Sequence, residues 1–385
     1  MSQDIIMQLD GYEEILREIE ISRKYGLALE VDKGSGAEYV RRLHPSVMDL
    51  RVNQVISETV STKTLRLVSP DGYLPPFQAG QYIALYLEID GIRTGRPYSI
   101  SSPPNQTGYY DITVRRMQDG LVSNYLMDRV KAGDMIQTSG PDGRFVYNPL
   151  IYDKTLVLIA GGSGITPFMS MIREIAGRGL DRQVFLFYGN RTKEDVIFNC
   201  ELKDLSTWFD NIHYIPVIQN PEGGYKGHTG FITRKIISNE IKDISHKTFM
   251  LCGPQALYDF CVPELTKIGV PTKKIRQEIY GEPVNLYDSP GWPKSISLYD
   301  SFTINIRGAG AFKAPAGESL LSSLEKNGFV RPFVCRSGEC GLCRLRVVSG
   351  KVYQPPGALV RASDRQFGYV HSCVAYPLSN LEIML

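Results

Sequence analysis

The sequence predicts a multidomain chain of three consecutive folds: an antiparallel β-barrel, an α/β domain built on a parallel sheet, and a small C-terminal α+β domain. Three observations carry this. Residues 47–150 are rich in turns, and "RVNQVISETVSTKTLRLVSP", "QYIALYLEI" and "YDITVRRM" alternate apolar and polar side chains at the period of half-buried strands. Residues 151–282 instead alternate short apolar strands with helical patterns, as parallel sheets do. From residue 301 alternation returns, and three of the seven cysteines fall within the nine residues of "CRSGECGLC".

Composition narrows the classes. A length of 385 residues suits two or three domains, and 43% hydrophobic with 22% charged residues is ordinary for a globular protein. The formal net charge of +2 points neither to nucleic acid nor to an acidic membrane surface. No apolar run is long enough to span a bilayer. The N-terminus lacks the basic, apolar, small-residue layout of a signal peptide, so the expected location is cytoplasmic. Cysteines in a reducing compartment serve as metal ligands or free thiols more often than as disulfides.

Residues 1–46 precede the barrel. In "YEEILREIEISRKYG", Ile15, Leu16 and Ile19 fall at helical spacing, and the helix should stop near Gly26. Packing on the barrel is the expected role; docking a partner is the alternative. Inside the barrel region lie "GRPYSISS" (95–102) and "DGLVSNYLMDRV". The α/β region opens with "LVLIAGGSGITPFMSMIREI", a strand, a glycine turn and an amphipathic helix. Gly161, Gly162 and Gly164 strip the turn of side chains, so its N–H groups and the helix start make a phosphate site. Taken alone this is a weak signal. The strands "QVFLFYGNR" and "HYIPVI" follow, then "KTFMLCGPQALYDFCVPEL". Ligands of such sheets bind beyond the carboxyl ends of the strands, where both "GGSGITP" and "LCGP" fall. Cys200 and Cys261 lie in helical, apolar segments and read as bland thiols. Residues 283–300 hold several prolines and read as an interdomain linker, with the hypothesis that it lets the last domain swing.

In the last domain, Cys335, Cys340 and Cys343 are spaced C-x4-C-x2-C, and Cys373 follows after 29 residues. This is the plant-type [2Fe-2S] ligand spacing. Three thiolates must converge from one tight loop and a fourth must close the site from a distant element. Four cysteines also suit zinc, but structural zinc sites usually pair one C-x2-C with another, and this asymmetric spacing fits them poorly. Residues 301–385 resemble a whole plant-type ferredoxin of β-grasp fold.

The ordered set R-P-Y-S, G-x-x-S, G-G-S-G-I-T-P and C-G-P resembles the ferredoxin–NADP⁺ reductase superfamily. With the ferredoxin module at its C-terminus, the chain is similar to the single-chain reductases that serve oxygenases and hydroxylases. The resemblance covers roughly residues 47–385. It implies a flavin-binding barrel, in which Arg96 contacts a flavin phosphate, Pro97 and Tyr98 line the flavin, and Ser99 hydrogen-bonds it where hydride arrives. Gly120, Val122 and Ser123 would hold the flavin pyrophosphate at a helix start, which favours FAD over FMN. Gly162, Gly164 and Thr166 would line the nicotinamide dinucleotide, and Gly253 and Pro254 would follow Cys252 beside the nicotinamide ring. Glu278 of "RQEIYGEP" would complete a Ser–Cys–Glu group around the hydride path. Tyr280 would shield the flavin, a role in doubt because about a hundred residues follow it. Arg191 would suit the 2′-phosphate of NADPH, whereas Asp195 would repel it; NADH is the favoured donor. One [2Fe-2S] cluster on Cys335, Cys340, Cys343 and Cys373 would then deliver single electrons to a separate redox acceptor protein. The alternative is a subunit held permanently in a larger redox complex.

Overall fold

A computed structural model describes residues 11–25, 33–278, 281 and 285–385. Residues 1–45 form one compact unit and residues 46–385 another. The first contains the helices Tyr12–Tyr25 and Lys33–Leu43. Ile15, Leu16 and Ile19 do share the first helix, as their spacing requires, but all three are exposed.

In the second unit the strands β1 (Met48–Thr59), β2 (Thr62–Val68), β3 (Tyr82–Ile89), β4 (Ile92–Ser99), β5 (Tyr110–Arg115) and β6 (Met135–Thr138) make an antiparallel sheet of order β4-β3-β6-β1-β2-β5. A bridge between Ile100 and Ile112 brings its two edges together and closes the barrel. Alternation does the work: Leu50, Val52, Leu65, Leu67, Ile83 and Leu85 point inward to one core. The β3–β4 hairpin turns on Asp90 (φ 51°) and Gly91 (φ 79°), the two positive φ angles that a type I′ turn requires.

The next domain is a parallel sheet of β7 (Thr155–Gly161), β8 (Gln183–Asn190), β9 (Ile212–Ile218), β10 (His228–Thr229), β11 (Lys247–Cys252) and β12 (Ile275–Glu278), in the order β10-β9-β8-β7-β11-β12. Leu156, Leu158 and Ala160 of β7 face one helical layer, and Val157 and Ile159 face the other. The chain leaves β7 toward β8 on one side and later returns to pair β11 on its other side. A crevice at that reversal is where such sheets bind ligands.

The C-terminal domain is a mixed sheet of β13 (Ser301–Ile306), β14 (Gly310–Pro315), β15 (Arg344–Ser349), β17 (Tyr369–His371) and β19 (Leu381–Met384), in the order β14-β13-β19-β15-β17. The helix Leu320–Lys326, capped by the Ser319 hydroxyl, packs on it, and β16 (Val352–Tyr353) pairs with β18 (Tyr376–Pro377). The expected linker needs correcting over its described part. Leu286 and Trp292 are buried with Tyr353 and Tyr376, so these two side chains anchor an otherwise largely exposed segment to this domain. The prolines end regular structure there, but the apolar side chains between them still find a core.

Candidate active site and cluster site

The glycine turn sits at the sheet reversal. Gly162 has φ 53°, and the Tyr188 hydroxyl holds its carbonyl at 2.8 Å. A Cβ on Gly164 would lie 2.0 Å from the carbonyl oxygen of Cys252, and one on Gly161 would lie 3.0 Å from Pro254. The turn after β7 and the Cys252–Gly253–Pro254 turn after β11 therefore press together, and only glycine allows it. Thr166 spends its hydroxyl on the Ser163 carbonyl at 2.7 Å, so it shapes the turn. Arg115, at the end of β5, was not foreseen. Its guanidinium lies where a Cβ on Gly162 would be, 2.5 Å away, and it pairs with Asp195 at 3.5 Å. Asp195 thus stands at the turn, while Arg191 and Lys193 are exposed beyond β8. The doubled arginine ending "YDITVRRM" was the signal.

On the barrel, β4 carries the flavin motif. Arg96 is half-buried and donates to Thr94 Oγ1 (3.2 Å) and the Gly95 carbonyl (2.7 Å); Pro97 and Tyr98 follow, and Ser99 is buried beside Tyr82 of β3. Gly120 caps the helix Leu121–Asp128, whose first-turn N–H groups have no acceptor within the helix. Val122 is buried, and the Ser123 hydroxyl accepts from Met117 N at 3.1 Å. An anion at this helix start would therefore meet backbone N–H groups rather than that hydroxyl.

Cys252 and Glu278 are register partners at the ends of β11 and β12, both buried. The Tyr258 hydroxyl clamps the two strand ends, accepting from Gly253 N at 3.0 Å and donating to the Glu278 carbonyl. Burial above all holds the Glu278 carboxyl well above the usual carboxylate range, and the negative charges of Glu339 and Cys335 add to this. Glu278 thus faces the cysteine loop of the next domain. Tyr82 feels Cys335, Cys340 and Glu278 together, which puts this barrel tyrosine where all three domains meet. Tyr280 lies outside the described residues.

The four expected cysteines come together. The thiols of Cys335, Cys340 and Cys373 lie within hydrogen-bonding reach, as do those of Cys343 and Cys373, so the four share one site. Among the described residues no group of three or more His, Cys, Asp or Glu is arranged to hold a single metal ion. Four cysteines brought together from one tight loop and a distant segment, with C-x4-C-x2-C spacing, would suit a [2Fe-2S] cluster. The thiol contacts, with backbone N–H groups of Ser337 (3.5 Å) and Cys340 (3.4 Å), hold the Cys335 thiol far below its ordinary range. Gly338 (φ 81°) and Gly341 (φ 74°) make the loop's reversals, and His371 Nδ1 bonds the Gly338 carbonyl at 2.7 Å. Cys200 is exposed and Cys261 buried, and burial pushes the Cys261 thiol up to about 12, so neither joins a site.

Comparison with known proteins agrees with this geometry. Residues 47–147 match the oxidoreductase FAD-binding domain, 158–262 the oxidoreductase NAD-binding domain, and 304–378 the 2Fe-2S iron-sulfur cluster binding domain. The chain is 32% identical over 332 residues to the NADH oxidoreductase HCR of Escherichia coli (strain K12), covering 86% of this chain and 96% of that protein. It is 29% identical over 361 residues to the ferredoxin reductase component of 3-ketosteroid-9-alpha-monooxygenase from Mycolicibacterium smegmatis, covering 87% and 95%. Among solved structures, phthalate dioxygenase reductase aligns over 88% of this chain and 98% of its own, with TM-score 0.65 and 26% identity. The chain belongs to the ferredoxin–NADP⁺ reductase superfamily, in the single-chain branch of oxidoreductases that join a FAD-binding barrel, an NAD-binding domain and a C-terminal [2Fe-2S] ferredoxin domain.

Proposed function

We propose that this reductase takes its hydride from NADH, holds FAD rather than FMN, and hands single electrons to a separate metalloprotein such as a terminal oxygenase. One observation carries the reading. The ends of three domains converge: Glu278 from the nicotinamide domain lies by Cys335 and Glu339 of the cluster loop, and Tyr82, beside Ser99, packs in one cluster with Cys335 and feels the charges of Cys335 and Glu278. When bound, the flavin accepts a two-electron hydride and the cluster passes electrons on one at a time.

The residues divide the work. The glycine turn with Arg115 receives the dinucleotide phosphates. Cys252, fixed by Tyr258, sets the nicotinamide ring against the barrel. Ser99 orients the flavin, and Arg96 with the start of the helix Leu121–Asp128 takes its phosphates, an arrangement that favours a pyrophosphate. Glu278, whose carboxyl burial holds well above its ordinary range, favours the neutral form at the junction, beside Cys335 and Glu339. The name of the Escherichia coli relative supports NADH, and the monooxygenase relatives support an oxygenase-class acceptor. All seven cysteines are free of disulfides, which fits a cytoplasmic location.

Anaerobic titration with NADH, and separately NADPH, tests the reading by absorbance and electron paramagnetic resonance. NADH should bleach the flavin and raise a rhombic [2Fe-2S] signal at far lower concentration than NADPH. Flavin bleaching without that signal would confine the chain to a flavin dehydrogenase.

A further inference from the structure

The cysteine loop has two sides. Its inner side, Val334 and Cys335, is buried against Tyr82 and Ala84 of the barrel. Its outer side is open: Leu342, between two cluster ligands, is 49% exposed, and Leu359 and Phe367 are likewise exposed. Leu359 is tied to the loop, its N–H donating to the Gly338 carbonyl at 3.0 Å.

Arginines frame these apolar side chains. Arg331 donates to the Arg344 carbonyl (2.8 Å), Arg346 to the Phe367 carbonyl (3.1 Å) and Arg365 to the Ala358 carbonyl (3.2 Å), while Arg361 is exposed one residue beyond Val360. Backbone carbonyls fix the guanidinium groups of Arg331, Arg346 and Arg365, and among the described residues none of the four forms an ion pair with a carboxylate. The carboxylates of the domain are engaged elsewhere. Glu325 pairs with Arg336, Glu318 with Lys326, Glu382 with Arg307 and Asp364 with Arg344, while Glu339 faces Cys335 and Asp142 on the inner side. Residues 301–385 hold ten lysines and arginines against five carboxylates, whereas residues 1–300 hold 33 against 36. The cationic excess therefore belongs to this domain, and Arg331, Arg346, Arg361 and Arg365, which lack carboxylate partners among the described residues, lie around the outer side of the loop.

We propose that this outer face is the landing surface for an acidic acceptor protein, which sets carboxylates on Arg331, Arg346, Arg361 and Arg365 and an apolar spot on Leu342 and Leu359. The inference rests on the reading that electrons leave for a separate protein. Each hydride taken from nicotinamide departs as two single electrons, so two encounters complete one turnover. Complementary charge speeds such encounters and weakens with salt. Interleaved apolar side chains fit a protein partner better than a phosphate backbone or a lipid surface, which would be met by charge alone.

The test uses the full holoprotein and two probe acceptors of opposite charge, the acidic soluble domain of cytochrome b5 and basic mitochondrial cytochrome c. Cytochrome b5 reduction should fall about tenfold or more as ionic strength rises from about 20 to about 300 mM, while cytochrome c shows no such fall. R361E and R346E/R361E should slow cytochrome b5 reduction by a similar factor, yet leave anaerobic nicotinamide-driven bleaching of flavin and cluster unchanged. Chemical shifts of isotope-labelled cytochrome b5 should move with the native protein and not with the double variant. Salt-independent reduction of cytochrome b5, or full activity of both variants, would overturn the proposal. Binding to phosphatidylglycerol vesicles that R346E/R361E abolishes, with no change toward cytochrome b5, would overturn it in favour of a membrane surface. Loss of the internal bleaching in the native protein would instead undo the reductase reading.

Discussion

The barrel makes two joints, and they are built differently. Toward the nicotinamide domain the joint is a continuation of core: Ala79, Phe145 and Tyr147 are buried in the same cluster as Ile165, Phe168 and Met169. Phe145 and Phe168 pack with ring centroids 5.8 Å apart, and a Cβ on Gly80 would strike the Phe145 carbonyl. Arg173 and Ser170 add hydrogen bonds to the carbonyls of Ser101 (2.8 Å) and Ser102 (2.7 Å). Toward the ferredoxin domain the joint sets buried polar contacts beside an apolar cluster of Tyr82, Ala84, Val334 and Cys335. Tyr86 stacks edge-on to Phe333, and Thr94 of β4 donates to Glu325 at 2.9 Å. Arg336, next to the ligand Cys335, pairs with Glu325 inside the interface and reaches Thr94 at 3.2 Å. Arg96 bonds the same threonine, so two hydrogen bonds link it to the residue beside Cys335. The difference follows the chemistry. Hydride transfer needs near contact and a rigid stack, whereas a single electron crosses longer gaps, so a joint that mixes polar and apolar contacts suffices.

Disturbing the nicotinamide domain behind the first joint should cost most. In G164A the new Cβ would lie 2.0 Å from the Cys252 carbonyl, and backbone cannot yield as a side chain can. The shifted nicotinamide turn should slow flavin reduction by NADH about 100-fold or more. The dithionite-reduced cluster signal should remain, because that domain is untouched. Normal stopped-flow flavin reduction in G164A would show that the two turns separate freely.

Breaking the second joint should cost stability first. R336A leaves Glu325 buried without its partner, and such a loss costs about 3–5 kcal/mol. Replacing both charges in R336M/E325M should recover most of it, since a buried pair is a poor net stabiliser once its desolvation is counted. Denaturant unfolding of the two variants checks this. Equal losses in both would make the contact a docking device in its own right.

Glu278 touches both joints and supplies a pH signature. Its carboxyl is held well above its ordinary range in the folded protein, chiefly by burial. At pH below the ordinary carboxylate range both states carry the proton and the residue costs nothing. As pH rises through that range the unfolded chain ionises first, so native stability falls until pH passes the folded value. E278Q should therefore match the native protein near pH 4 and become more stable than it toward pH 7. An unchanged gap across that window would mean the carboxylate is ionised in the fold.

What sequence reading captured and what it missed divide along the same joints. The grouping of Cys335, Cys340 and Cys343 with Cys373 was legible because the spacing C-x4-C-x2-C with a distant fourth cysteine is a pattern in itself, and the structure brings the four together. The glycine turn and Arg96 were legible because each lies in a short motif. Thr94, Glu325 and Arg336 were not, since a contact between residues 94 and 325 leaves no local pattern. The same holds for Arg115 with Asp195. The face of Tyr82, Ala84 and Tyr86 left a faint trace, alternating with the core residues Ile83 and Leu85, but period alone cannot say that the outer face is covered. Residues 285–300 misled because proline and turn residues dominate them, while the aromatic partners of Trp292 come from residues 353 and 376.

The smallest effect tests whether the second joint is cooperative. The Tyr86 hydroxyl donates to the Phe333 carbonyl at 2.9 Å, and its ring lies edge-on to Phe333 with centroids 5.4 Å apart. Y86F keeps the ring and deletes the hydroxyl, an expected loss of about 0.5–1.5 kcal/mol. If the joint is a sum of independent contacts, Y86F and R336A should add, because their partners differ. If the Phe333 segment moves as one body, they should not. Arg336 lies over the Phe333 ring at 4.4 Å, and Phe333 is thus shared by both contacts. A double-mutant cycle on unfolding and on flavin-to-cluster electron transfer should therefore show a coupling energy above the roughly 0.5 kcal/mol seen between independent sites. Strict additivity would break the comparison, because the ferredoxin joint would then be two separate contacts with no shared element for the cluster loop to ride on.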